Sequence, residues 1–141
     1  MYLVACTLEQ GAMAYRLHAV NITNGVEPYG PGVLITGSYG AASFGARYQT
    51  QRLSLVLSKN QVVFGFGAIE SEQANGYVGW VMAYNKLTLQ QSGAFATEAT
   101  GPGGGGVWQS GASAGGRQLR RHLCLLGQWL YQWLRWREQL Q

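Results

Sequence analysis

The chain has 141 residues, a formal net charge of +4 and 21 glycines, a length that suits a single domain. Its positive charge is confined to the C-terminal end, because the residues before 113 carry five Lys and Arg side chains and five Glu side chains. A body without net charge excludes the electrostatic case for binding nucleic acid. Two distant cysteines and no aspartate give no disulfide framework and no metal-ligand spacing. No apolar run reaches the roughly 18 residues of a membrane span.

Seven strands are predicted, each a short run rich in alternating apolar, β-branched or aromatic residues. Gly, Pro, Asn and Ser separate them. Lys59-Asn60 is predicted to form a hairpin turn, because Asn tolerates a positive φ. No helix is predicted before residue 117. The predicted strands cover residues 2–6, 15–20, 32–36, 53–58, 61–66, 77–85 and 93–97.

Three of these strands occur twice in the same order. Residues 17–21 align with residues 81–85 at an offset of 64, and the strands before and after them align at offsets of about 60. The pattern predicts one antiparallel sheet module used twice, with GSYGAASFGARYQTQ inserted before the second copy. Such modules are stabilised by stacking, and about three or more are usually needed. We therefore expect a piece of a longer chain, whose remaining modules are its partners.

Each copy carries a turn of the form Ala-x-Asn-x-x-[Asn/Thr] after its second strand. Its role is structural. The Asn side chain bonds its own backbone and tightens the turn, a following Gly takes a positive φ, and the small Ala permits close packing of sheets. The residues of this motif are Ala19, Asn21, Asn24, Gly25 and Tyr29 in the first copy and Ala83, Asn85 and Thr88 in the second.

The turn resembles the tryptophan-docking repeat of quinoprotein (pyrroloquinoline quinone, PQQ) β-propellers, A-x-D-x-x-T-G-x-x-x-W. Asn replaces the Asp in both copies and Tyr29 stands for the Trp, whereas Leu89 and Gly93 occupy the Gly and Trp positions of the second copy. YRLHAVNITNG, GYVGWVMAYNKLTLQQ and GGGGVWQSGA are similar to further segments of these proteins, in the same order. The resemblance implies that residues 1–112 form an all-β, incomplete β-propeller of about two antiparallel four-stranded blades. It also implies a periplasmic or secreted parent protein.

The resemblance leaves two functions open. One is a non-catalytic scaffold or binding module. The other is a fragment of a PQQ-dependent dehydrogenase whose catalytic residues lie outside this chain. Such an enzyme would imply an Asp base, Ca²⁺ ligands and a vicinal Cys pair, whereas this chain has no Asp and no adjacent cysteines. We predict no catalytic residue, metal ligand or cofactor in this chain, with PQQ a cofactor of the parent only. Trp108 is a candidate for stacking on a cofactor ring, although packing between blades is the commoner role of such a residue. His18 is expected to be a satisfied structural histidine.

Residues 113–141 form an anomalous basic tail with five of the ten Lys and Arg side chains and three of the five Trp. Read literally, the tail predicts an amphipathic helix that binds a membrane or a partner groove, which is a third functional hypothesis. We favour an out-of-frame translation. Trp is encoded only by TGG, so a one-base shift turns Trp129, Trp133 and Trp136 into Gly. One permitted choice of codons also restores an Ile-Tyr-Val strand near residue 123, about 60 residues after the fifth predicted strand.

Overall fold

The computed structural model describes residues 1–69, 77–101 and 104–107. Over these residues the chain is all-β with antiparallel sheets, which confirms the predicted fold class. Its one helical element is a 3₁₀ turn at Ala46–Tyr48, and no helix in these ranges is long and apolar enough to cross a membrane. The strands are β1 Tyr2–Glu9, β2 Ala12–Ala19, β3 Val33–Leu34, β4 Ser38–Tyr39, β5 Ala42–Ser43, β6 Gln49–Gln51, β7 Val56–Ser58, β8 Gln61–Ala68, β9 Trp80–Asn85 and β10 Gln91–Ala96.

All seven predicted strands coincide with observed strands, with their ends shifted by a few residues. The insert before the second copy is more ordered than its composition suggests, because it forms the β4–β5 hairpin, the 3₁₀ turn and β6. The predicted hairpin turn lies between β7 and β8, but the positive φ belongs to Lys59 (53°) rather than to Asn60. The first central position of a two-residue hairpin loop is left-handed in both favoured turn types, so the position overrides the residue preference.

Two sheets contain most of the strands. The first sheet has the order β1-β2-β3, and the second has the order β10-β9-β8-β6 with β7 also paired to β8. Each sheet contains a three-stranded antiparallel meander, β1-β2-β3 in one and β8-β9-β10 in the other. Only the second sheet has further strands among the described residues: β6 and β7 both pair with β8, on the edge away from β9.

The main core lies between the two sheets. Tyr15, Leu17 and Ala19 of β2 belong to the same buried cluster as Phe64 and Trp80 of the second sheet. The Tyr15 and Phe66 rings meet edge to face with centroids 5.1 Å apart, and the Tyr15 hydroxyl donates to the carbonyl of Gln49 at 2.9 Å. Burial of each large apolar side chain contributes about 1.5–3 kcal/mol, so this interface dominates the stability of the described residues.

The opposite face of the second sheet has a smaller cluster of its own. Val63, Val81 and Ala83 are buried there, with Val56 and Val107 packed against them. Val107 also donates its backbone N–H to the carbonyl of Phe66 at 3.2 Å. The second sheet is therefore apolar on both faces, which is typical of a sheet placed between neighbours.

Candidate functional site

The first copy of the turn closes through its side chains as well as its backbone. The Asn21 side-chain oxygen accepts the N–H of Thr23 at 2.9 Å, and that of Asn24 accepts the N–H of Val26 at 3.0 Å. The Asn21 N–H donates to the Val26 carbonyl, and the Gly25 N–H donates to the Asn21 carbonyl, each at 2.8 Å. Gly25 has a φ of 73°, the left-handed conformation that Gly adopts most easily.

The second copy repeats these bonds at an offset of 64 residues. The Asn85 side-chain oxygen accepts the N–H groups of Leu87 and Thr88 at 2.8 and 3.1 Å, and the Thr88 hydroxyl oxygen accepts the N–H of Gln90 at 3.3 Å. The Asn85 N–H donates to the Gln90 carbonyl at 2.8 Å, and the Leu89 N–H donates to the Asn85 carbonyl at 2.9 Å. The two segments thus form the same turn from different residues.

Leu89 holds the position that Gly25 holds in the first copy. Its φ is 54°, so a bulky side chain adopts the left-handed conformation at a cost of about 1–2 kcal/mol. The side chain is only 1% exposed and belongs to the core between the sheets. Burial of this Leu offsets the strain, which explains how the second turn dispenses with Gly.

The remaining residues of the motif behave differently from one another. Ala19 and Ala83 are both buried, opposite Tyr2 and Val63 on the neighbouring strands. Tyr29, however, is 41% exposed, so within the described residues it does not pack between sheets as the resemblance implies. Tyr29 lies in a second turn, which the N–H of Gly30 closes by donating to the Glu27 carbonyl at 3.3 Å. Gly93, at the corresponding position of the second copy, lies at an irregularity in the pairing of β10 with β9.

Several candidates of the sequence analysis lie outside the described residues. Trp108, the candidate for cofactor stacking, is one of them, and the basic tail at residues 113–141 is another. The described segment nearest to Trp108 runs across the end of the second sheet, where Val78 and Gly104 form a parallel bridge. No group of three His, Cys or Glu side chains within the described part of the chain could hold a metal ion.

A polar network on the outer face of the first sheet was not predicted. Arg16 pairs with Glu9 through two bonds, Nε to Oε1 at 2.6 Å and Nη2 to Oε2 at 2.8 Å. The Thr7 hydroxyl donates to the same carboxylate at 2.8 Å, and Arg16 also donates to the Gly32 carbonyl at 2.7 Å. Hydrogen bonds from Arg16 and Thr7 lower the pKa of Glu9 to about 2. Strand alternation places these side chains on one face of the sheet, but their spacing along the chain does not indicate that they are in contact.

His18 lies on the same face and has an acidic partner. Its Nδ1 is 3.1 Å from Oε1 of Glu27, and both side chains are about three-quarters buried. The first turn brings Glu27 back beside the strand that carries His18, a contact between residues nine apart that the strand pattern does not indicate. A Cβ at Gly32 would overlap the imidazole ring, so this Gly makes room for His18. The carboxylate of Glu27 therefore satisfies one ring nitrogen of His18.

Comparison of the chain with protein-family models, with curated proteins and with solved structures found no match. The candidate site consists of a turn that occurs twice and a polar outer face on the first sheet.

Proposed function

We propose that the chain is a piece of a larger PQQ-like β-propeller repeat protein, in which it serves as a non-catalytic scaffold or binding module. The observation that carries the proposal is the way in which the two copies of the repeat pack against each other. Equivalent residues of the two sheets do not face each other. In both sheets the side chains at equivalent positions point in the same direction along the axis on which the sheets stack.

The two turns define which residues are equivalent. Leu17 and Val81 each lie four residues before the Asn that begins the turn. The third strands agree with this alignment, since the Ile35 N–H donates to the Tyr15 carbonyl at 2.8 Å and the Thr97 N–H donates to the Gly79 carbonyl at 2.9 Å. The alignment therefore holds across the whole meander.

The equivalent residues occupy different interfaces. Leu17 faces the second sheet and is fully buried between the sheets, whereas Val81 faces away from the first sheet in the smaller cluster. A sandwich with two-fold symmetry would bring like faces together. Unlike faces in contact are the head-to-tail arrangement of propeller blades and solenoid repeats, in which each module can receive another. The packing therefore supports a repeat protein over a two-sheet sandwich.

The residues on the outer face of the first sheet belong to neither apolar cluster of the described part of the chain. Residues equivalent to its members form the apolar interface of the second sheet: Arg16 corresponds to Trp80, and His18 corresponds to Met82. In the first sheet Arg16 instead forms an ion pair with Glu9, and His18 lies within hydrogen-bond distance of Glu27. A polar face of this kind suits a surface that binds a polar partner, which fits a scaffold or binding module.

Sequencing the encoding DNA across codons 110–120 and on both sides tests the proposal. We expect a one-base shift near codon 113 that restores a strand near residue 123. We also expect further copies of the Asn turn at a spacing of about 60 residues. An intact gene in the present frame, with no further copy of the turn, would overturn the proposal.

A titration of the longer protein with PQQ separates the scaffold from the dehydrogenase. The scaffold predicts no dye-linked alcohol oxidation at any PQQ concentration. Activity that saturates with PQQ would instead assign the chain to an enzyme, with its catalytic residues in other modules. Periplasmic or secreted localisation of the longer protein belongs to the same proposal, and cell fractionation tests it.

A further inference from the structure

We propose that Asn21, which begins the first copy of the turn, is an acceptor site for an N-linked glycan. The chain has five asparagines, and only Asn21 is followed two residues later by Ser or Thr. The segment Asn21-Ile22-Thr23 is the acceptor sequence of this modification, in which the middle residue is any residue except Pro. The inference rests on the secreted localisation that belongs to the proposed function, because the modification takes place in the secretory pathway.

The modification joins a sugar to the side-chain amide nitrogen, Nδ2. The donor is an oligosaccharide carried on a lipid diphosphate, and a transferase of the secretory pathway catalyses the step. Nδ2 attacks the anomeric carbon of the first sugar and loses one proton, while the bond from that carbon to the diphosphate oxygen breaks. The lipid diphosphate leaves with the electron pair of the broken bond, so no oxidant or reductant takes part. The hydroxyl of Thr23 is the group that marks Asn21 for the transferase.

The turn leaves the side-chain nitrogen of Asn21 available for a sugar. It uses the side-chain oxygen instead, since Oδ1 accepts the N–H of Thr23 at 2.9 Å. The backbone N–H and carbonyl of Asn21 close the turn through Val26 and Gly25 without help from the side chain. Within the described part of the chain, no hydrogen bond uses Nδ2. A glycosylated amide keeps its carbonyl oxygen, so the sugar and the bond to Thr23 are compatible.

The turn is also accessible, and it carries apolar surface that a glycan would cover. Residues 21–26 are all exposed, with Ile22 at 78% and Val26 at 55% exposure. A Cβ added at Gly25 would have no neighbour within 4 Å, so there is open space beside the turn. A bulky hydrophilic glycan on Asn21 would shield both aliphatic side chains from other protein molecules.

The second copy has the same turn without the acceptor sequence, and so provides a matched control. Oδ1 of Asn85 accepts the N–H of Leu87 at 2.8 Å, as that of Asn21 accepts the N–H of Thr23. Leu87 is 54% exposed but has no hydroxyl group. The two asparagines therefore share one local geometry and differ in the residue two positions later. Leu87→Thr introduces the acceptor sequence into the second turn at an exposed position.

The test is translation of the full chain, behind a cleavable secretion signal, in a cell-free system that contains microsomal membranes. Resistance to added protease identifies the chains that have entered the microsomes. We expect these chains to carry one glycan, seen as a slower band in gel electrophoresis that peptide N-glycosidase removes. Asn21→Gln and Thr23→Val should each abolish the slower band, whereas Thr23→Ser should retain it. Leu87→Thr should add a second glycan.

Two results would overturn the inference. One is a protease-protected parent chain that carries no glycan, and the other is a slower band that persists in Asn21→Gln. Glycan transfer takes place on the chain as it enters the microsome, so neither result depends on how stably a variant folds. The experiment supplies its own secretion signal, so its outcome is separate from the DNA test and the fractionation test of the proposed function.

Discussion

Replacing Leu17 by Ala tests whether the two sheets form one cooperative core. Leu17 lies on the first sheet, is fully buried and belongs to the cluster shared with Phe64 and Met82. Truncation of a buried Leu costs about 2–5 kcal/mol, because apolar contacts are lost and a cavity remains. Leu34→Ala is the matched control, since Leu34 is on the adjacent strand but 47% exposed. An exposed substitution of this kind changes stability by about 0.5 kcal/mol or less.

Native-state hydrogen exchange measured by NMR provides the assay. A loss of about 3 kcal/mol lowers the protection of amides that exchange by global unfolding roughly 100-fold. Because the core is shared, we expect this loss at Phe64 and Met82 of the second sheet as well as at Tyr15 of the first. A Leu17→Ala variant that loses protection only in β1, β2 and β3 would refute the reasoning, since the sheets would then unfold independently.

Three further predictions concern the turn, the ion pair and the histidine contact. Gly25→Ala should lower the free energy of unfolding by about 1 kcal/mol, because Ala is strained at a positive φ. Leu89→Gly should lower it by about 2 kcal/mol, because the burial that is lost outweighs the strain that is relieved. Urea titration measures both changes. Glu9 has its pKa lowered to about 2 from 4.5, so its contribution to stability is complete above pH 4.5 and is lost as the pH falls towards 2. The melting temperature of Glu9→Gln should therefore fall less steeply across that window than that of the parent chain, and parallel slopes would contradict the assignment. Gly32→Ala should lower the free energy of unfolding by about 1–3 kcal/mol, because the added Cβ overlaps the ring of His18. In a double-mutant cycle, the additional substitution His18→Ala should recover part of that loss.

Strand positions could be predicted from the sequence because alternation and turn residues are local signals. The long strands β1, β2, β8 and β9 all coincide with predicted runs. The strands β4, β5 and β6 lie in the insert rich in Gly, Ser and Gln, where no run of alternating apolar residues marks a strand, so they were not predicted. The left-handed residue of the β7–β8 turn was misassigned because turn position outweighs residue type at Lys59.

The candidate site was less accessible from the sequence, because its contacts join separate elements. The pairing of His18 with Glu27 depends on how the first turn folds back, and the bonds from Arg16 to Glu9 depend on the register of β1 against β2. The exposure of Tyr29 likewise depends on the path of the loop after the turn. Spacing along the chain encodes none of these, whereas the Asn turn itself is a local feature and was visible as a motif.

The unlike faces of the repeat also explain why its sequence similarity is uneven. Positions 19 and 83 both hold Ala, because each lies opposite a neighbouring strand just before a turn with fixed backbone bonds. Arg16 and Trp80 differ completely, although they occupy the same position of the meander, because one lies on the outer face and the other lies between the sheets. Backbone geometry constrains the turn in every copy, whereas each face is constrained only by its own neighbour. A search for further copies should therefore weight the turn and its Ala above the residues on the sheet faces.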